Sequence, residues 1–343
     1  MSKQNRTMKT QLQSVLAVCL MALCWMPINA QKSVMRGDVD NDSKVTITDA
    51  TELIDYLLGG DGSALNLEAA DFDVDGSVNI ADAVALIDFL LTGEMPDVYE
   101  PVIETFTVGT ATFDMLLVEG GTFMMGGRVD MDPYVKPWEL PVHQVTLSDY
   151  YICTTEVTQA LWRAVMGTSQ NPSWFTSANG YTNDFKRPVE SVTFANCQSF
   201  ITKLNQKTGK TFRLLTEAEW EYAARGVKYD HGYMYAGGND IDEIAWHIDN
   251  SGDVTHAVGT KTPNELGIYD MAGNVGEWCS DWYGLYTEDA VTNPTGPATG
   301  TCRIVRGGSW NQGWRMNRVT YRREGIPFDS NVNVGLRIAM SVQ

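Results

Sequence analysis

Thiols are scarce in this chain of 343 residues. It has six cysteines, no Cys-x-x-Cys pair, and none after Cys302. Histidine is rarer still: His143, His231, His247 and His256 occur without a His-x₃-His spacing, so a zinc or iron centre built on such ligands is not expected. Positive charge is also short. Lys and Arg number 25 against 43 Asp and Glu, a net charge of −18, which argues against a nucleic-acid partner. After the N-terminal segment no apolar run is long enough to cross a bilayer.

What is present begins with that N-terminal segment. Lys3, Arg6 and Lys9 precede an apolar run from Val15 to Met26, and Ile28-Asn29-Ala30 closes it with a small residue. This reads as a secretory signal peptide over residues 1–30, cut near Ala30–Gln31, and predicts a secreted or cell-surface protein. Four cysteines would survive cleavage: Cys153, Cys197, Cys279 and Cys302. A Cys279–Cys302 bridge and free buried thiols are both open.

Residues 38–97 hold fifteen Asp and Glu with only Lys44 as a base, an excess of fourteen negative charges. Within them two segments repeat 33 residues apart, Asp38 to Asp49 and Asp71 to Asp82. Acids fall at loop positions 1, 3, 5 and 12: Asp38, Asp40, Asp42 and Asp49, then Asp71, Asp73, Asp75 and Asp82. That is the ligand spacing of a calcium loop, with the carbonyls of Lys44 and Ser77 at position 7. Each loop runs into a predicted helix, Ala50 to Leu58 and Ala83 to Leu91. Leu53, Ile54, Leu57 and Leu58 repeat as Leu86, Ile87, Leu90 and Leu91. Two Ca²⁺ ions would offset four of the excess charges, so folding is expected to depend on calcium. The duplicated loop-helix unit over 34–97 resembles a type I dockerin. The resemblance implies docking to a cohesin-like scaffold protein, often in assemblies that degrade polysaccharides. Residues 98–108, with Pro101, read as a linker.

The remainder, 109–343, centres on Pro263 to Trp278. There Gly267, Gly273 and Gly276 sit among Asp270, Asn274, Glu277 and aromatics. Carboxylates beside flexible backbone carbonyls can bind calcium, and the same residues can form a structural turn before a strand beginning at Glu277. Upstream, Phe113 to Val118 and Val142 to Tyr151 read as strands. Glu156 to Met166 and Val192 to Thr208 read as helices. Thr216 and Glu219 form a capping box opening a short helix that Gly226 ends, which makes Glu217, Glu219 and Glu221 packing features.

The central stretch resembles the signature of the formylglycine-generating-enzyme, or sulfatase-modifying-factor, family. Four further segments match in order: Val118 to Gly126, Thr155 to Thr158, Arg213 to Gly226, and Arg306 to Trp310 with Gly335-Leu336-Arg337 after it. The resemblance implies an α+β, C-type-lectin-like domain with much irregular structure, beside a small all-α calcium-loop module. It implies at least one further calcium ion, held by Asp270, the carbonyls of Gly273 and Val275, and Glu277. The family's oxidase chemistry uses two copper(I)-binding cysteines after the Gly-Gly-Ser motif. Here Gln312 and Asn317 stand in those places, so no copper is expected.

That segment keeps amides, indoles and arginine together: Ser309, Trp310, Asn311, Gln312, Trp314, Asn317 and Arg318. Such mixtures serve binding faces for a glycan or protein ligand, while the arginines could equally pair with core acids. Two further readings stay open, an oxidase with altered ligands and a structural subunit of a surface complex.

Overall fold

Each acidic loop runs into a helix, as its spacing predicts. In a computed structural model describing residues 34–74, 78–95, 101–130 and 132–342, α1 (Ile47–Leu57) is capped by Thr46, and Asp49 completes a capping box. A short α2 (Leu67–Ala70) follows, capped by Asn66. The longer α3 (Ile80–Thr92) repeats the first arrangement with Asn79 and Asp82, and Gly93 ends it at φ 77°. Val39, Ala50, Leu53, Phe72, Ala83 and Leu86 form the core of this unit. Leu58 and Leu91, expected on the packed faces, are instead 82% and 81% exposed. The buried stripe runs through Ala50 and Leu53, and Leu58, turned away from it, only caps the helix end. The signal-peptide segment, Asp75 and Ser77 lie outside the described residues.

The chain divides into two compact units at Val98–Tyr99. The second opens on β1 (Ile103–Val108), β2 (Ala111–Val118) and β3 (Gly121–Met125). The expected linker is therefore corrected over 103–108. That stretch pairs antiparallel with β2, and Phe106 packs 5.5 Å from Phe113. Next come β4 (His143–Leu147) and β5 (Tyr150–Cys153), which lie in different sheets; one continuous strand over 142–151 does not form.

Helix α4 (Gln159–Met166) starts at its Thr158 cap rather than at Glu156, whose side chain turns inward. Then follow α5 (Phe194–Thr208), β6 (Phe212–Leu214), α6 (Glu217–Ala224) and α7 (Ile241–Ile244). The chain ends with β7 (Gly276–Trp282), β8 (Val291–Thr292), β9 (Arg303–Arg306), β10 (Arg322–Gly325), β11 (Val334–Gly335) and β12 (Ile338–Ser341).

Three sheets result, ordered β1-β2-β5-β12-β6, β10-β9-β7-β11 and β3-β4-β8. Strand β12 brings the end of the chain between β5 and β6. Strand β7 carries the central stretch into the second sheet, with Glu277 opposite Arg306. Two aromatic-rich cores fill the spaces, one containing Trp162, Phe200 and Trp278, the other Tyr150, Trp220 and Ile304. Cys153, Cys197, Cys279 and Cys302 are free thiols, and the Cys279–Cys302 bridge does not form. Cys279 faces the second core, while Cys302 is half-buried just before β9.

Candidate functional site

Carboxylates gather in both acidic loops. Oxygens of Asp38, Asp40 and Asp42 lie within 4.8 Å of one another, as do those of Asp71, Asp73 and Asp82. Asp42 N–H donates to Asp40 Oδ1 at 2.9 Å and Lys44 N–H to Asp42 Oδ1 at 2.8 Å, which curls the first loop inward. Asp38 Oδ1 is buried without a hydrogen-bond partner. A buried, unpaired carboxylate oxygen beside two more carboxylates is chemistry suited to a hard cation. Asp49 and Asp82 both close capping boxes, Asp82 accepting from Phe72 N–H at 2.6 Å and Asn79 N–H at 2.8 Å, but only Asp82 also lies with its loop's carboxylate cluster, and Asp49 does not. Asp49 is fully buried and accepts from Val39 N–H at 2.7 Å and Thr46 N–H at 2.8 Å, so its helix-capping role engages both oxygens.

In the larger unit, glycine places Asp270 to Glu277. Gly273 adopts φ 83°, and a Cβ there would lie 2.4 Å from Trp246 O. Glu277 is buried, with both oxygens engaged. Arg337 donates from Nε and Nη2 to Oε1 at 2.9 and 2.7 Å, and Trp220 Nε1 donates to Oε2 at 2.7 Å. Glu277, expected as a calcium ligand, thus has its charge and both oxygens engaged by Arg337 and Trp220. Asp270 differs. Gly259 N–H donates to Oδ2 at 2.7 Å, and Oδ1 is buried without a partner. Burial pushes its carboxyl up to about 6. Glu156, which accepts from Asn274 at 2.9 Å and from Val275 N–H at 3.0 Å, is raised well above the usual range by burial, then by Asp270 and Glu277. Three buried carboxylates thus share one guanidinium.

Four of the seven residues expected on a binding face are core residues. Trp310 packs 5.3 Å from Phe175 and donates to Val332 O at 3.0 Å. Ser309 is fully buried. Asn317 donates to Gln312 O at 3.3 Å and Gly313 O at 3.0 Å, fastening the loop. Arg318 is buried between Asp132 and Glu139, donating to Glu139 Oε1 at 2.7 Å. Asn311, Gln312 and Trp314 are half-exposed, and Asn311 is held by Asn333 at 2.8 Å. Trp314 stands edge-on to Tyr134 at 4.6 Å, with Arg315 over both rings.

Three other arginines are likewise structural. Arg306 pairs with Glu221, Arg322 Nε donates to Glu217 at 2.7 Å, and Arg213 Nη1 donates to Glu219 at 2.7 Å. The three acids of α6 therefore serve packing, as their capping-box context predicts. The roles of Asp132 and Glu139 were not anticipated, and nothing local to those residues marks them.

The comparisons fit this geometry. A family model for the sulfatase-modifying factor enzyme 1-like domain matches residues 100–342, and one for the dockerin type I domain matches 36–91. The chain belongs to the sulfatase-modifying-factor family. Its sulfatase-modifying-factor domain is preceded by a type I dockerin, a domain type that binds calcium and cohesin partners and is typical of extracellular or surface proteins. The chain is 33% identical over 285 residues to "Chaperone protein LppX" of Paenibacillus barcinonensis, covering 68% of this chain and 91% of that protein. It is 29% identical to the formylglycine-generating enzyme of Streptomyces coelicolor, covering 67% and 90%. Among solved structures, Treponema denticola variable protein 1 is 34% identical, with a TM-score of 0.64 over 71% of this chain and all of that one. PvdO from Pseudomonas aeruginosa is 25% identical, with a TM-score of 0.59 over the same shares.

The copper(I) chemistry of the family is tested by the two positions where its cysteines are expected. Gln312 and Asn317 offer amides in place of two thiolates, and Asn317 is built into its own loop. Burial raises the thiols of Cys153, to about 11, Cys197 and Cys279, which disfavours the thiolate a soft metal needs. No helix among the described residues is long and apolar enough to cross a membrane.

Proposed function

We propose that this is a secreted, non-catalytic binding protein on the sulfatase-modifying-factor fold, carried to a cohesin-like scaffold by its calcium-loaded dockerin. The observation that carries the reading is the pair of amides at 312 and 317. The oxidase reaction requires two thiolates there, and no other thiol of the domain belongs to that loop. The binding face is narrower than the sequence implied: Asn311, Gln312 and Trp314 together with Tyr134 and Arg315. A rigid aromatic pair, an arginine and adaptable amides suit a glycan or protein ligand. The likeness to formylglycine-generating enzymes supports the competing oxidase reading.

Calcium belongs to both parts of this proposal. Asp38, Asp40 and Asp42 hold one dockerin ion, and Asp71, Asp73 and Asp82, with Asp75 and the Ser77 carbonyl, hold the second. In the larger domain an ion at Asp270, with the carbonyls of Gly273 and Val275, offsets the local carboxylate excess without Glu277.

Glycan and protein arrays probed with the whole chain and with W314A test the face. Binding that W314A weakens supports it, and binding indifferent to W314A removes it. Trp310 is unsuitable for this purpose because its loss opens the core. Copper(I) titration with a cysteine-peptide oxidation assay decides against the proposal if metal binds tightly and the peptide is turned over.

A further inference from the structure

Three arginines of the C-terminal segment, Arg303, Arg315 and Arg323, make no ion pair with a carboxylate among the described residues, and Arg303 among them faces a pocket. Arg303 opens β9, and its cross-strand partners are Trp282 on β7 and Gly325 on β10, neither of which carries charge. Its guanidinium carbon lies 3.5 Å from the Trp282 ring centre and 4.3 Å from that of Phe194, so the group rests against both rings. It donates from Nη1 to Ser280 O, and Nε is buried without a partner. Among the described residues no carboxylate lies within ion-pair distance of it. Asp281 is the acid that acts on it electrostatically, from beyond ion-pair distance.

Arg303 lines an open pocket of about 390 Å³. Pro327 and Phe328 form one side of it, and the Phe328 ring is 80% exposed. The N-terminal part of α5 supplies another wall: the Thr193 hydroxyl is spent on its cap with Asn196, and Gln198 offers an amide. The positive end of that helix's dipole adds to the potential of Arg303. A flat apolar ring left in water, a neutral amide and a guanidinium without a carboxylate in ion-pair reach together match a sugar ring that carries an anion. The ring stacks, a hydroxyl meets the Gln198 amide, and the anion meets the arginine.

We propose that the pocket formed by Arg303, Trp282, Phe194, Gln198, Pro327 and Phe328 is a subsite for an acidic sugar residue, one bearing a carboxylate or a sulfate ester. The choice of a sugar as carrier rests on the glycan-binding reading above. The requirement for an anion rests on Arg303 alone.

Calorimetric titration of the whole calcium-loaded chain tests this with four probes: a galacturonate disaccharide, a sulfated galactose disaccharide, the neutral galactose disaccharide, and a short peptide ending in a phenylalanine carboxylate. The two acidic sugars separate carboxylate from sulfate as the source of the anion. At least one of them is expected to bind about tenfold or more tightly than the neutral sugar, given the usual strength of a charged hydrogen bond. That preference should shrink at high salt and disappear in R303Q, while R303K keeps part of it. F328A, at an exposed ring, should keep the wild-type melting temperature and weaken the acidic sugars. W314A should leave the preference unchanged, which separates this subsite from the Trp314 face. Equal affinity for acidic and neutral sugars overturns the assignment. So does an unchanged preference in R303Q or unchanged affinity in F328A, stronger binding of the peptide than of either acidic sugar, or no acidic-sugar binding at roughly 10 mM.

Discussion

Arg337 holds together three parts of the chain. It donates to Glu277 on β7 and to Cys153 O at 2.9 Å, both buried, and to Tyr269 O at 2.7 Å, which is half-buried. Removing one charge from such a pair leaves the other stranded away from water, at a cost of about 3–5 kcal/mol. E277Q is therefore expected to lower the thermal midpoint of the large domain by roughly 6–20 °C, from the usual conversion for a domain of this size. If the drop occurs equally with calcium and with chelator, Glu277 acts through Arg337. If it vanishes in chelator, Glu277 is a metal ligand after all.

Asp281 gives a pH-dependent counterpart. It accepts from Glu217 N–H at 3.1 Å and from the Ser280 hydroxyl at 3.0 Å, and burial, then the Glu217 charge, pushes its carboxyl up to about 7. A folded state that holds this proton more tightly than the unfolded chain gains stability at low pH. That gain is complete below about 4 and is lost as pH rises through about 7. D281N keeps a neutral group there. It should match the wild type near pH 4 and exceed it above pH 7 in urea midpoints; a parallel pH dependence of the two proteins would show that Asp281 is already ionised in the fold.

Elements were legible in proportion to how local their signals are. The helices after the acidic loops, the Thr216 capping box and the strand through Glu277 follow from spacing and caps carried within a few residues. The fate of Trp310 was not legible, since an indole among amides reads the same on a surface as in a core. Its burial depends on Phe175, 135 positions earlier. Likewise α6 displays Glu217, Glu219 and Glu221, but Arg322 and Arg306 reach them from 105 and 85 residues away. Long-range pairing of this kind decided most of the binding face, and no period or motif encodes it.

The acidic loops, by contrast, are self-contained, which makes their prediction direct. D38N combined with D40N removes two of the three clustered carboxylates of the first loop. It should lower calcium affinity by at least about tenfold, as loss of charged ligands tunes such sites. Calcium-dependent capture by a cohesin should fall with it. Unchanged affinity would mean that the Asp38–Asp42 cluster is a solvated acidic turn.

At the scale of the whole molecule, charge is distributed very unevenly between the two units. Residues 38–97 carry an excess of fourteen negative charges around a small core, and the rest of the chain carries a modest share of the −18. Self-repulsion at that density opposes compaction, and divalent cations that bind only the folded loops stabilise them by mass action. The larger unit rests instead on two extensive cores and on buried Arg–carboxylate pairs, which calcium does not create. Scanning calorimetry of the intact chain should therefore show two transitions. Chelator should move the smaller one down or abolish it, and should shift the larger one far less, by the contribution of any ion at Asp270. Raising ionic strength in chelator should partly restore the smaller transition, because screening shortens the reach of the repulsion. A single transition that ignores both chelator and salt would mean that the acidic module folds without cations, and the calcium-gated attachment proposed here would have no physical basis.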